Sequence, residues 1–334
     1  MAPRDRIALS VVIPCFNEAD VLPLLRKRLV AALEPTGAQW EVVFVDDGSF
    51  DGTFEHLAAM HREDGRFKVL SFSRNFGHQT AISAGLAHAT GEAVAVMDAD
   101  LQDPPEILPA GLAKLKEGYD VVYAVRRQRK EGLLKRGAYA LFYRLLKAVA
   151  EIDIPLDSGD FCLMNRRVVD VLKQMPERNV FVRGLRAWSG FRQFGLDYER
   201  QARAAGETKY PFRKLLRLAL DAVFAFSTVP LRLGTYLGFG ATVASILAGI
   251  FVVAWRIGGF RFMGHTAREL PGWTAAVGVG LFLGGIQLLI LGLIGEYIGR
   301  IYSEVKQRPR WVVRCALGLP AVPPEAAGDD RHLV

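Results

Sequence analysis

Short apolar runs alternate with stretches of helical periodicity from Ala8 to Ala124. The apolar runs predict strands over Ala8 to Pro14, Glu41 to Val45, Phe67 to Phe72, Ala93 to Met97 and Asp120 to Ala124. Between them the spacing predicts helices over Glu18 to Leu33, Thr53 to His61, Gln79 to Ala89 and Pro105 to Lys116. Strands that alternate with helices in this way build an α/β domain around a mostly parallel sheet, with helices on both faces. In such open sheets ligands bind outside the carboxyl ends of the strands. Four polar motifs fall there: Cys15-Phe16-Asn17-Glu18, Asp46-Asp47-Gly48-Ser49, Ser73 to His78 and Asp98-Ala99-Asp100.

The pattern changes in the second half. No charged residue occurs from Leu233 to Trp255, nor from Pro271 to Gly295, and each stretch exceeds the roughly 20 residues needed to cross a bilayer core. Two transmembrane helices are expected, about 233–255 and 271–297, joined by the short connection Arg256 to Leu270 into a hairpin. Gly234, Gly238, Gly240 and Ala241 in the first, and Gly278, Gly280, Gly284 and Gly285 in the second, suit close helix packing. The connection holds Arg256, Arg261 and Arg268. Arg213, Lys214, Arg217 and Arg232 before the hairpin, and Arg300, Lys306, Arg308, Arg310 and Arg314 after it, place both ends on the cytoplasmic side.

Two further stretches, Phe212 to Phe226 and Leu133 to Val149, oppose a basic stripe to a broad apolar face, as helices lying on a membrane surface do. For the second, a core-facing helix is an equal alternative. The expected organisation is a catalytic domain over 1–210, an interfacial helix and linker over 211–232, the hairpin over 233–299, and a basic segment with a poorly ordered tail from Ala316 over 300–334.

Composition agrees with this division. A chain of 334 residues has room for about two domains, and 51% hydrophobic content is high for a wholly soluble protein. Cys15, Cys162 and Cys315 are widely spaced, which suggests neither a disulfide framework nor a zinc site. No signal peptide is expected, because Met1 to Arg6 runs directly into the first strand. The net charge of +7 would suit nucleic acid or an anionic membrane. Its concentration in Arg126 to Lys147, Arg183 to Arg217 and Arg300 to Arg314, flanking the apolar segments, favours phosphate and lipid headgroups and argues against nucleic acid.

The chemistry centres on Asp98 and Asp100. Side chains alternate along a strand, so the two carboxylates point the same way and converge if the chain turns just after them. Both then reach one Mg²⁺ or Mn²⁺ ion and the nucleotide bound to it. A surface loop with two unrelated acids is the plain alternative, against which the neighbouring strand-end motifs weigh. Asp46 and Asp47 are placed to accept hydrogen bonds from a nucleobase or ribose, while Ser49 or Asp51 caps the next helix. Arg74 and His78 stand where either would face a phosphate, His78 more simply as a structural histidine. Leu156 to Phe161 reads as a tight acidic turn. Arg203 and Lys209 end a basic segment at the level of a lipid phosphate. Glu296, near the end of the second span, is explained by pairing with Arg300 one turn on.

Taken in order, P-x-F-N-E of Pro14 to Glu18, D-D-G-S-x-D of Asp46 to Asp51, S-R-N-F-G-H-Q of Ser73 to Gln79, D-A-D-L-Q-D-P-P-E of Asp98 to Glu106 and G-E-T-K-Y-P of Gly206 to Pro211 resemble family 2 glycosyltransferases. With the two spans and I-G-E-Y-I-G-R-I-Y of Ile294 to Tyr302, the chain is similar to polyprenyl-phosphate glycosyltransferases of the bactoprenol glucosyltransferase type, relatives of dolichol-phosphate mannose synthase.

The resemblance implies a GT-A fold and inverting transfer of one sugar, a hexose such as glucose, from a nucleotide sugar, UDP-linked, to polyprenyl phosphate in the cytoplasmic membrane. By position, Pro14, Asn17, Glu18 and Asp46 or Asp47 would hold the nucleotide. Asp98 and Asp100 would take the ribose and the metal, with Gln102 beside them. Arg126, Arg136, Asp157 or Ser158, Arg203 and Lys209 would surround the acceptor phosphate and the donor diphosphate. Asp157 matches a position proposed as catalytic, with Asp160 close by; Asp100 and Arg126 complete the expected catalytic set.

A phosphate monoester is largely dianionic at neutral pH, its second pKa being about 6, so the nucleophile needs little or no general base. Arginines and a metal matter more, because they hold two polyanions together. The nearest string to the Q-x-x-R-W of processive synthases is Arg183 to Trp188, without the glutamine, which favours transfer of a single sugar. Transfer to another lipid such as a diacylglycerol, nucleotidyl transfer, and a non-catalytic nucleotide-sugar-binding scaffold are the rival readings. The glycine-rich spans also permit a homo-oligomer.

Overall fold

The computed structural model describes residues 7–126, 158–175, 177, 181–198, 229–258 and 272–319. The chain divides into two compact units, one formed by Met1–Phe212 with Arg308–Val334 and the other by Arg213–Gln307.

The first unit is built on β1 (Leu9–Cys15), α1 (Leu22–Leu33), β2 (Trp40–Asp46), α2 (Thr53–Glu63), β3 (Phe67–Phe72), α3 (His78–His88), β4 (Ala93–Val96), α4 (Leu108–Lys116) and β5 (Val121–Arg126). Then come β6 (Ser158–Asn165), α5 (Arg166–Lys173), α6 (Val182–Trp188) and β7 (Gln193–Tyr198), and after the second unit β8 (Val313–Leu317). The eight strands form one sheet in the order β7-β5-β6-β4-β1-β2-β3-β8. β1 pairs in parallel with both β2 and β4. The chain therefore runs outward from β1 through β2 and β3, then returns to β4 on the other side. That reversal is a topological switch point, and the crevice it opens lies at the carboxyl ends of β1 and β4.

β1 and β2 are buried along their whole length, as central parallel strands covered on both faces must be. On one face Leu9, Val11 and Ile13 pack with Leu22, Leu25 and Leu29 of α1. On the other, Val43, Val45, Leu70 and Phe72 meet Ala81 and Ala84 of α3. Each fully buried Leu or Phe in these layers contributes about 1.5–3 kcal/mol. Gly85 lets α3 lie directly on the sheet, because a β-carbon there would collide with the Val12 side chain.

The five expected strands and four helices are all present, with shifted ends. α1 begins at Leu22 rather than Glu18, with Pro23 in its first turn, where the fixed φ favours helix initiation. The residues released from it form the loop after β1. Three strands were not anticipated. The supposed acidic turn Leu156 to Phe161 is, from Ser158 on, β6, which lies antiparallel between β4 and β5. β7 adds parallel to β5. The tail expected to be poorly ordered from Ala316 instead holds the end of β8, antiparallel to β3. β8 is only five residues long, with exposed Arg314 within it, and hydrophobic patterning underrates such a short edge strand.

The second unit contains α7 (Val229–Gly258) and α8 (Gly272–Val305). Two helical stretches, Gly234–Gly258 and Phe282–Val305, are long and apolar enough to cross a membrane. Large apolar side chains such as Tyr236, Leu247, Phe282 and Leu288 are exposed on them, a pattern that water does not favour. A β-carbon on Gly234 would come 3.7 Å from Leu293, and one on Gly238 3.7 Å from Ile290, so these two glycines face α8. Gly240, Gly280, Gly284 and Gly285 have no such neighbour within 4 Å among the described residues. α8 runs past Gly295 to Val305, and Arg300 bonds Glu296 at 3.0 Å in its last turns, the structural pairing expected for that acid. The amphipathic stretches Phe212 to Phe226 and Leu133 to Val149 lie outside the described residues.

Candidate active site

The loops after β1 and β2 are sewn together by short polar side chains. Asn17 adopts a left-handed φ of 57°, accepts from the Phe50 amide at 3.1 Å through Oδ1, and donates its own amide to Ser49 Oγ at 3.0 Å. The Glu18 amide donates to Thr53 Oγ1, and Asp51 accepts from the Ala19 amide and from Thr53. Asp51 thus accepts the first amide of α2 from one residue outside the N-cap, which is Gly52 and not Ser49 or Asp51 as expected. Asp46 is fully buried: Oδ1 accepts from the Ser49 amide at 3.0 Å and Oδ2 from the Ser71 hydroxyl at 2.7 Å. Asp47 accepts from the Phe76 and Gly77 amides at 2.7 and 2.9 Å. Burial pushes Asp47 above the usual carboxylate range against the pull of those two amides. Gly48, at φ 72°, passes so near the Arg74–Asn75 backbone that a β-carbon would collide with it. Asp46, through Ser49, therefore braces the loop that carries Asn17 and Glu18 just past Pro14 of β1, and Asp47 braces the loop after β3. Phe16 and Phe50, both exposed, meet edge to face at 6.0 Å above these turns.

The acids after β4 are placed differently. β4 ends at Val96, and Leu101 takes a positive φ of 59°, uncommon for a bulky residue, so the chain turns sharply just after Asp98 and Asp100. Asp100 Oδ1 accepts from the Gln102 amide at 3.1 Å. Asp98 Oδ1 is buried and has no hydrogen bond among the described residues. Burial pushes Asp98 up to about 6; His78 opposes this, while Asp160, Asp103 and Asp100 add to it.

His78, at the start of α3, puts Nε2 3.5 Å from Asp98 and 3.4 Å from Asp160 of β6. Burial would lower the imidazole pKa, but Asp160, Asp98 and Asp47 outweigh it and raise it. Asp160 also accepts from Gln79 at 3.1 Å and from Arg183 of α6 at 3.2 Å. Burial acts to raise Asp160, yet His78 and Arg183 hold it well below the usual range. Gln79 closes the cluster by accepting the Val182 amide at 3.0 Å. A buried charge persists when it is paired and hydrogen-bonded, and Asp160 has both.

The structure thus gathers Pro14, Asn17, Glu18, Asp46, Asp47, Asp98, Asp100 and Gln102 along one edge of the sheet. Arg126 ends β5, and Ser158 begins β6 opposite Val125. Asp157, Arg136, Arg203 and Lys209 lie outside the described residues. Arg74 stacks 4.0 Å over Phe76 and donates to the Asn75 carbonyl, which keeps it in its own loop. Patterning missed Arg183 and Gln79 as partners of Asp160, because the strand that carries Asp160 was read as a turn.

Among the described residues no group of three or more His, Cys, Asp and Glu is arranged to enclose a metal. Asp98 and Asp100 supply carboxylate oxygens only, one of them buried and unsatisfied. That donor set suits a hard divalent cation that keeps waters and takes further oxygens from a substrate phosphate, and it does not suit zinc.

Residues 10–172 match the family described as Glycosyl transferase family 2. Over 94% of its length the chain is 45% identical to the glycosyltransferase YkcC of Bacillus subtilis, covering 95% of that protein. It is 41% identical to the bactoprenol glucosyl transferase of Shigella phage SfII over 92% of this chain and 97% of that one. Among solved structures it is similar to the mannosyltransferase PcManGT of Pyrobaculum calidifontis, with 19% identity, 86% and 88% coverage and a TM-score of 0.42, a likeness too slight to carry a residue role.

Proposed function

The chain belongs to glycosyl transferase family 2, and from that premise we propose that it transfers a single glucose from UDP-glucose to polyprenyl phosphate in a membrane. The observation that carries this reading is Asp98 beside Asp100 at the switch point, with a buried Asp98 oxygen that has no hydrogen bond among the described residues and the His78 ring 3.5 Å away, a place for a cation-bound diphosphate. Support comes also from the near full-length similarity to bactoprenol glucosyl transferases and from the two helices suited to a bilayer.

In the proposed reaction an oxygen of the acceptor phosphate attacks the anomeric carbon from the face opposite the diphosphate. The bond between that carbon and the diphosphate oxygen breaks, UDP departs with the electron pair, and configuration inverts. The acceptor is already a dianion for the most part at neutral pH, so no side chain has to take a proton. Asp98 and Asp100 would hold Mg²⁺ or Mn²⁺, which supplies charge neutralisation to the departing diphosphate. Pro14, Asn17 and Glu18 shape the nucleotide seat, which Asp46 and Asp47 brace. His78, fixed between Asp98 and Asp160, ties the two acids together at the same edge. Arg126, Arg136, Asp157, Ser158, Arg203 and Lys209 belong to this proposal as the surroundings of the two phosphate groups. Both helix termini of the hairpin are assigned to the cytoplasmic side, with the catalytic unit there.

The test incubates purified protein with polyprenyl phosphate, Mg²⁺ or Mn²⁺, and a panel of labelled nucleotide sugars. Label from UDP-glucose is expected in the lipid phase; absence of labelled lipid with every donor overturns the reading.

A further inference from the structure

The chain does not end its contribution to the sheet at β7. After α8 it comes back as residues 308–319 of the first unit, and this returning segment is held at three places. Arg310 donates to the Met175 carbonyl at 2.8 Å, Trp311 stacks on Phe72 with ring centroids 6.3 Å apart, and β8 pairs with β3. The pairing contains an irregularity. Leu317, Ala316 and Cys315 face Val69, Leu70 and Ser71 in register, but Phe72 faces Val313, which leaves Arg314 as the extra residue of a β-bulge. Bulges re-aim a side chain at the rim of a sheet. Here the bulge turns Arg314 toward the end of β2.

The guanidinium of Arg314 donates to Ser71 Oγ at 2.9 Å, lies 3.5 Å from Asp46 Oδ2, and covers the Phe54 ring at 4.9 Å. The Ser71 hydroxyl in turn donates to Asp46 Oδ2 at 2.7 Å. Asp46 is fully buried, and Arg314 is the cation that pairs with it among the described residues. A carboxylate removed from water needs such partners. From Asp46 the chain of bonds continues through the Ser49 amide, and through Ser49 Oγ to the Asn17 amide. A line of hydrogen bonds therefore joins the last strand to both loops of the nucleotide seat.

We propose that Arg314, aimed by the β8 bulge, is a positioning residue for the donor: it clasps the Asp46 turn and so holds the nucleotide seat in its binding shape. This rests on the donor-binding role assigned to that edge under Proposed function. The segment following the second long helix is then part of the donor site.

Arg314→Ala and Arg314→Lys are made in the full-length protein in detergent or nanodiscs. In the first arm, amide exchange is followed without nucleotide. Arg314→Ala should speed exchange of the Ser49 and Phe50 amides about tenfold and leave Val11 and Val43 in the core unchanged; Arg314→Lys should restore part of the protection. Unchanged exchange at Ser49 and Phe50 overturns the clasp, whatever the protein's activity. In the second arm, KM for the nucleotide sugar should rise about five- to tenfold in Arg314→Ala, with kcat within about twofold and KM for the lipid acceptor unmoved. Faster exchange with an unchanged donor KM overturns the positioning role. A fall in kcat or a rise in acceptor KM of the same size does so as well. If the wild-type protein transfers from no donor, the functional reading fails, and the first arm still decides the clasp.

Discussion

At the end of β2 the chain places Asp46 and Asp47, and at the end of β4 it places Asp98 and Asp100. The sequence presents both as acidic pairs closing apolar strands. In the fold the first pair is spent on the protein itself: four of its oxygens take the Ser49, Phe76 and Gly77 amides and the Ser71 hydroxyl. The second pair leaves Asp98 Oδ1 buried with no hydrogen bond among the described residues, and Asp98 is pushed up to about 6 by burial. Acids whose oxygens are all taken by amides and a hydroxyl shape a site, whereas Asp98, with His78 3.5 Å from an oxygen that makes no hydrogen bond among the described residues, fits the proposed role of taking a ligand.

The sharpest way to break this contrast is to remove one member of each pair. Asp100→Ala should lower transfer by roughly a thousandfold or more, equivalent to about 4 kcal/mol of transition-state stabilisation, with the thermal midpoint nearly unchanged. Wild-type turnover in that variant would end the distinction. Asp47→Ala should act in the opposite sense. It strips the Phe76 and Gly77 amides of their acceptor and should cost about 2–4 kcal/mol of stability in denaturant unfolding, with any loss of activity following loss of folded protein.

A smaller effect separates braced acids from waiting ones by pH. Glu41 is buried in β2; burial alone would raise it, but Lys68 at 2.5 Å, Ser10 and Thr90 lower it below the ordinary range. Its folded pKa is therefore below its unfolded value of about 4.3, so the stabilisation is present above that pH and is lost as pH falls through the folded value. Glu41→Gln should lower stability at neutral pH and flatten the acid limb of the stability profile; an unchanged acid limb would contradict the assignment. Smallest of all, Arg28→Ala removes a bidentate but solvated pair with Glu106 and should change stability by no more than about 1 kcal/mol.

The same contrast explains how far the sequence could be read. Strands buried on both faces announce themselves as apolar runs, and β1 to β5 were legible for that reason. The strand-end acids were legible too, because a carboxylate after such a run needs explaining. Their division of labour was not, since it depends on Phe76, Gly77 and Ser71, whose amides and hydroxyl reach the Asp pair only in the folded sheet. β6 escaped notice because Ser158-Gly159-Asp160 looks like a turn, and with it went the His78, Gln79 and Arg183 cluster around Asp160. β8 escaped because its residues alternate weakly, and its pairing with β3 spans more than two hundred residues of chain, which no local pattern encodes.

On the proposed reading Asp98 and Asp100 receive a cation while Asp46 and Asp47 brace the seat. The most direct measurement follows Mn²⁺ binding by electron paramagnetic resonance in full-length protein with UDP present. Comparison is made among the wild type, Asp100→Ala and Asp47→Asn, each checked for folding by its thermal midpoint. The account predicts nucleotide-dependent Mn²⁺ binding in the wild type, its loss in Asp100→Ala at an unchanged midpoint, and its retention in whatever fraction of Asp47→Asn stays folded. Mn²⁺ binding undiminished in Asp100→Ala, or lost in folded Asp47→Asn, would contradict it.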